Sequence, residues 1–226
     1  MILISEEVKA KFPGITIGVV AGECSRNALA DESAFESESD QTQSHARQIQ
    51  VLAEQPNIAA WRKMFRAFGE DPTKRKSSAE ALAKRVLNGE ALPRINTIVD
   101  CYNVVSLRNL IPIGGHDAQN IQGNVQLRFA HAGEKFTPLG GQEVQETNEG
   151  EVVYADDAKI LCRKWNYRDC EEAKISEQTE KFVLVVDGAV GIASELVEKA
   201  AFDLSKTLES LQDNFRGRCR REPTPD

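Results

Sequence analysis

Two periods of apolar residues alternate along the chain, and each predicts its own kind of element. After the Pro13-Gly14 turn, Ile15, Ile17 and Val19 alternate with Thr16, Gly18 and Val20, which predicts a strand over 15–22. The period then lengthens. Ile58, Trp61, Phe65 and Phe68 recur at helical spacing, so a helix is predicted to open at Asn57 as its cap and to close at Gly69, its aromatic stripe in the core. Ser77-Ser78-Ala79-Glu80 is a capping box that starts a helix running to Asn88-Gly89. A further helix enters at Pro93-Arg94 and stops at Pro112, with Ile95, Ile98, Val99 and Tyr102 on its apolar face. Between the first strand and these helices, 31–47 is polar, acidic and serine-rich. It reads as an exposed loop or a weakly anchored helix start, with a short helix expected around 44–55.

Strict alternation returns at Ile121, Gly123, Val125, Leu127 and Phe129 and predicts a strand over 121–129. Val152-Val153-Tyr154 and Ile160-Leu161-Cys162 flank 155–158 as a hairpin. Phe182 to Val186 reads as a buried strand, and 187–215 as a long amphipathic helix carrying Ile192, Leu196, Ala200, Leu204, Leu208 and Leu211. Residues 216–226 read as a flexible tail. No repeat and no linker rich in Pro, Gly or Ser divides the chain. The pattern predicts one α+β domain over 1–226: helices first, an antiparallel core, then a closing strand and helix.

Composition narrows the function more than the fold. At 226 residues and 41% apolar content the chain can bury a sizeable core. No apolar run approaches the roughly 20 residues that cross a bilayer, and 1–14 carries no basic leader, so no membrane partner is expected. The five cysteines are scattered without a Cys-x-x-Cys spacing, which points to reduced thiols and a cytoplasmic location. A net charge of −7 argues against a protein whose whole surface coats nucleic acid. Local basic patches remain at 74–76, at Arg163-Lys164 with Arg168, and at 216–221; each reads equally as a solvated face.

Candidate chemistry concentrates in 99–170. Asn96, Asp100 and Asn103 share one face of the predicted helix. There is no Gly-x-Gly-x-x-Gly, no Walker loop and no Gly-x-Ser-x-Gly elbow. His116, Asp117 and His131, or Cys162 and Cys170, lack metal-ligand spacing, so no metal and no cofactor is expected. Cys101 sits within a helix beside its apolar face and reads as packing. What remains is Pro112-Ile113-Gly114-Gly115-His116-Asp117. Two glycines let backbone approach a ligand, and His116 and Asp117 can orient a water or an amine. On spacing alone it reads equally as a tight helix-to-strand turn with a satisfied histidine.

The runs VDCYNVVSLRNLIPIGGHD, IQGNVQLRFAHAGEKFTPLGG and EVVYADDAKILCRKWNYRDC resemble the B3/B4 domain, the editing module of the phenylalanyl-tRNA synthetase β-subunit, which also occurs as a free-standing protein. The matching positions are Val99, Asp100, Asn103, Val104, Pro112, Asp117, Ile121, Gly123, Arg128, Ala130, Gly133, Glu134, Leu139, Gly141, Ala155 and Asp156. The resemblance implies a three-layer α+β fold with a β-sandwich of unusual topology, flanked by helices. It implies hydrolysis, in trans, of the ester between a wrong amino acid and tRNA. The synthetase's editing histidine aligns with Gly114, and His116 lies two places on. The synthetase's module removes tyrosine from the phenylalanine tRNA; where it carries a glycine-rich run, this chain has 163–170, so that tyrosine specificity does not transfer.

An aminoacyl ester is already activated and needs a positioned water and a stabilised oxyanion rather than strong acid–base help. On that basis His116, Gly114 and Gly115 are the expected catalytic group, with Gly140 and Gly141 as further backbone donors. Asp100, Asn103, Asp117, Trp165, Asn166 and Asp169 are expected to bind substrate, Asp100 or Asp169 taking its α-ammonium. Arg163, Lys164 and Arg168 are expected to meet tRNA. One pocket is expected to hold Asp100, Asn103, Gly114, Gly115, His116, Arg163 and Trp165. Two other readings stand beside this one: a non-catalytic module that binds tRNA or an amino-acid-like ligand, and an unrelated small-molecule hydrolase on the same fold.

Overall fold

The computed structural model describes residues 2–25, 27–29, 32–211 and 216–222. Strand β1 (Ile2–Ile4), helix α1 (Glu6–Lys11) and strand β2 (Thr16–Glu23) come first. Helices α2 (Glu32–Ala46), α3 (Pro56–Ala67), α4 (Ser78–Leu87) and α5 (Thr97–Asn109) follow. Strands β3 (Ile113–Asp117), β4 (Val125–Phe129), β5 (Lys135–Phe136) and β6 (Gln145–Glu146) come next. Then come β7 (Val152–Ala155), β8 (Ile160–Arg163), β9 (Arg168–Asp169) and β10 (Lys181–Gly188). Helix α6 (Ser194–Leu211) and strand β11 (Arg216–Glu222) close the order.

One sheet runs β1-β4-β7-β8-β9, and a second runs β11-β2-β10-β3. β1 joins β4 in parallel; the remaining pairs are antiparallel. Helices α5 and α6 cover one face of the second sheet. Its other face meets the first sheet, where the Tyr154 hydroxyl donates to Asp187 Oδ1 at 2.6 Å. Helices, sheet and sheet therefore form the three layers of an α+β fold. A continuous core runs through them, with Trp61, Phe65, Leu127, Trp165 and Leu184 buried in it. Among the described residues no helix is long and apolar enough to cross a membrane.

Local signals placed several elements well. Ser77 Oγ accepts from Glu80 N at 3.3 Å and starts α4 as the capping box predicts. Others need correction. Helix α5 starts later than Pro93-Arg94: Asn96 Oδ1 accepts from Val99 N at 3.1 Å and caps it, and Ile95 stays outside the helix, exposed. Residues 32–46 are helix α2, not a loop. Phe35 and Ala46 bury against Ala83, Val86, Leu92, Val104 and Leu107 in a second cluster, so packing orders a segment that local preference leaves open. Helix α3 begins at Pro56, not after Asn57, whose amide donates instead to Asn109 O at 2.9 Å. The expected helix over 187–215 starts later, at Ser194, because Asp187 and Gly188 finish β10; 212–215 lie outside the described residues. The tail is paired rather than loose over 216–222, where β11 runs antiparallel to β2, while 223–226 lie outside the described residues. The Gly-Gly turn is no turn: 113–117 is β3, an edge strand in register with β10. Two adjacent glycines signal a bend locally, yet here the second, Gly115, stands where neighbouring side chains crowd the strand.

Candidate functional site

Two cavities meet at the β3 edge, and the residues singled out in the sequence divide between them. The outer cavity, about 580 Å³, lies between the start of α5, β3, the Leu139-Gly140 loop and 169–178. Its far wall is tied down. Asn27 Nδ2 donates to Ser176 O at 2.8 Å and to Asn96 Oδ1 at 3.0 Å, and Thr179 Oγ1 donates to Asp117 Oδ2 at 2.8 Å. Ile95 at the mouth is held by its N–H, which donates to Asp100 Oδ1 at 2.8 Å. A larger groove of about 850 Å³ between β1, β4 and the strands β11, β2 and β10 holds none of the expected catalytic, substrate-binding or tRNA-binding residues.

Strand register decides which backbone groups face the outer cavity. Gly114 pairs with Val185 and Gly115 with Leu184. Asp187 N donates to Pro112 O at 2.9 Å and Asp117 N to Ala173 O at 3.0 Å. This alternation spends the Gly114 amide in the ladder and turns the Gly115 amide to the open edge. No side chain fits at 115: an added Cβ would lie 2.3 Å from Leu184 Cδ2 and 2.9 Å from Ile175 Cδ1. Gly115→Ala is expected to cost about 1–3 kcal/mol by overpacking. Urea unfolding checks this, and an unchanged midpoint would show that the Leu184 side chain gives way freely.

Asp169 stands in the wall of the outer cavity, and no cation pairs with it among the described residues. Glu171 is occupied, by Lys174 and by the Gly140 N–H at 2.9 Å. Tyr102 lines the same wall. Burial first, then the charges of Asp169 and Asp100, push its phenol well above the ordinary range, so it stays a neutral donor. Tyr102, Lys174 and Glu177 were not singled out in the sequence: the first reads as helix core, and the others as loop.

The inner chamber, about 30 Å³, lies between the two sheets. It is lined by Gly114, His116, Trp165, Asn166, Asp169 and Asp187, among others. Asp187 accepts from Tyr154 OH, from Trp165 Nε1 at 3.3 Å and from Asn166 Nδ2 at 3.2 Å. Burial pushes its carboxyl up to about 6 against those hydrogen bonds. The folded state thus favours the protonated acid. This group contributes stability below its ordinary value of 3.8 that is lost as the pH rises through about 6. Asp187→Asn is expected to gain stability relative to wild type between about pH 4 and about pH 7. Urea midpoints at the two pH values read this, and a constant difference would contradict it.

The single expected pocket is therefore two spaces. Asp169 reaches both; Gly115 and Gly140 belong to the outer, and Gly114, His116, Trp165 and Asn166 to the inner. Asp100 and Asn103 are buried outside both, and burial raises the Asp100 carboxyl although Ile95 N–H and Arg94 hold it. Asp117 accepts from Gln119 N at 2.9 Å and from Thr179, which makes it a cap. Gly141 N donates to Pro138 O at 2.8 Å and Gly140 N to Glu171, so neither is a spare oxyanion donor.

The expected basic patch dissolves as well. Arg163 and Lys164 are each 8% exposed, Arg163 forked onto Glu151 and Lys164 paired with Glu70. Arg168 alone is exposed, its guanidinium donating to Leu139 O at 2.8 Å at the lip of the outer cavity. Cys162 and Cys170 stay thiols at neutral pH. Burial and then Asp169 push Cys162 well up, and burial pushes Cys170 up to about 11.

The chain is 39% identical over 67 residues to the phenylalanine–tRNA ligase beta subunit of Aquifex aeolicus, covering 30% of this chain and 8% of that protein. With the same subunit of Fusobacterium nucleatum it shares 27% over 134 residues, 59% of this chain and 16% of that protein. With that of Vibrio parahaemolyticus it shares 33% over 90 residues, 40% of this chain and 11% of that protein. The chain thus spans less than a fifth of the length of these relatives. An N-terminal fragment of the phenylalanyl-tRNA synthetase beta-subunit from Pyrococcus horikoshii superposes with a TM-score of 0.49 at 15% identity, covering 100% of this chain and 54% of that chain. The family model described as the B3/4 domain matches residues 60–211, more than half of the chain and every residue of both cavities. This chain belongs to the B3/4 domain family.

Proposed function

We propose that the outer cavity receives the aminoacyl end of a charged tRNA and hydrolyses its ester in trans, in the cytoplasm where tRNA is charged. The observation that carries this reading is the cation-free Asp169 carboxylate beside the open Gly115 amide, within the span matched by the family. The α-ammonium of the amino acid pairs with Asp169. The ester carbonyl accepts from the Gly115 N–H, which then faces the developing oxyanion. A water oxygen bonds to the carbonyl carbon, and the bond from that carbon to the ribose oxygen breaks. The water's proton leaves on the ribose oxygen. The products are a free amino acid and a tRNA with its terminal hydroxyl restored.

Incubation of the purified protein with a panel of mischarged tRNAs tests the reading, and release of at least one amino acid is expected. Binding without release across the panel would favour a module that holds the aminoacyl end without cleaving it. One observation favours that second reading: among the described residues no imidazole lines the outer cavity, since His116 lies in the inner chamber.

Contact with tRNA is expected at Arg168 and not at its two neighbours. Arg168→Glu should weaken tRNA binding and flatten its salt dependence by a slope of roughly 0.7–0.9, with stability unchanged. Removing Arg163 should instead cost about 1.5–3 kcal/mol of stability, because buried Glu151 then keeps only Lys164 at 3.8 Å and the two Asn148 donors. Equal binding by wild type and Arg168→Glu at low salt would remove this lip from the interface.

A further inference from the structure

We propose that the inner chamber binds one ordered water, and that this water fixes the Asp169 carboxylate toward the outer cavity. The second half rests on the function proposed above only for what Asp169 then binds.

Three of the buried side-chain atoms without a partner belong to residues that line the inner chamber: Ser78 Oγ, His116 Nδ1 and Asn166 Oδ1, the last two in residues 3% and 9% exposed. All three line the same chamber of about 30 Å³, more than the roughly 10–15 Å³ that a water needs. An orphaned buried polar atom costs about 1–3 kcal/mol, so the three together call for a shared partner.

The chemistry of the wall fixes how a water sits. Asn166 Nδ2 already donates to Asp187 Oδ2, which leaves Oδ1 as an acceptor. Burial pushes the His116 imidazole below its ordinary value, so the ring is neutral and one of its nitrogens carries a proton. A water that accepts from His116 Nδ1–H can donate one hydrogen to Asn166 Oδ1 and the other to Asp169. That is three hydrogen bonds, the usual number for a buried water.

Gly114 keeps the place open. Its missing Cβ points into the chamber, where the nearest heavy atom is Asp169 Oδ1 at 4.0 Å. A methyl group therefore fits without a clash and takes the water's space, while a serine hydroxyl stands in for it. Asp169 lines both spaces, so a hydrogen bond from the inner side fixes how the carboxylate meets the outer one. His116, Asn166 and Gly114 are positioning residues in this arrangement.

High-resolution crystal structures of wild type, Gly114→Ala and Gly114→Ser test the proposal without any substrate. Wild type should show a water within hydrogen-bond reach of His116 Nδ1 and Asn166 Oδ1. Gly114→Ala should lose that water and turn the Asp169 carboxylate to a new rotamer. Gly114→Ser should place its hydroxyl there and restore Asp169. A dry wild-type chamber, or an Asp169 that does not move when the water is lost, would overturn it. Where wild type deacylates a tRNA, Gly114→Ala should lower kcat/KM about 5–10-fold, one neutral hydrogen bond's worth, and Gly114→Ser should recover it. Wild type that deacylates nothing while the water and Asp169 behave as stated would defeat the proposed function and leave this inference standing.

Discussion

Replacing Trp165 with alanine is expected to destabilise the protein by about 3–5 kcal/mol. The indole is fully buried, with ring centroids 5.4 Å from Trp61, 5.5 Å from Phe12 and 6.3 Å from Phe68. Truncation opens a cavity at the junction of α1, α3 and the β8–β9 turn and removes one donor from buried Asp187. Alanine brings little relief to the backbone, because φ at 165 is +68° and the left-handed region disfavours any side chain. Urea unfolding at neutral pH provides the measurement. A loss below about 1 kcal/mol would fit a residue that lines a substrate pocket, the part the sequence suggested for it.

Asp169→Asn is expected to lower kcat/KM for deacylation by about 10–150-fold, the worth of one hydrogen-bonded charge contact at about 1.5–3 kcal/mol. The loss should vanish on a substrate whose amino group is acetylated, because no ammonium then needs a carboxylate. Parallel rates on free and N-acetylated aminoacyl-tRNA, for wild type and variant, provide the comparison. An equal loss on both substrates would mean that Asp169 serves the reaction without meeting the amine.

Much of the fold can be read along the chain because its strands are short and alternate, and its helices carry their own caps. Val152-Val153-Tyr154 facing Ile160-Leu161-Cys162 needs no distant information. The site is different, since its meaning depends on partners far away in sequence. Arg163 and Lys164 look like a surface patch until Glu151 and Glu70 close over them, the latter 94 positions off. Tyr102 has the spacing of a core residue, and only the loop at 171–178 turns its wall into a cavity. Asp169 sits in a polar run that gives no sign which carboxylate will be left without a cation. Helix α2 is hidden for a related reason: Phe35 is a lone apolar anchor in a polar stretch, and its pocket is built by α4, α5 and Leu92.

The parallel pairing of β1 with β4 also sets a timetable. Ile2 sits beside Val125, and Ser5 N donates to Leu127 O at 2.9 Å. At about 5–20 residues per second, translation separates the two strands by roughly 6–25 s. β2 waits longer still, because its neighbours β10 and β11 begin at Lys181 and Arg216. Contacts so distant along the chain slow folding, since the loop must close before any pairing rewards it. Ile15, Ile17, Val19 and Val20 thus spend that interval without cover, and the nascent chain depends on being shielded from its neighbours until β10 has emerged.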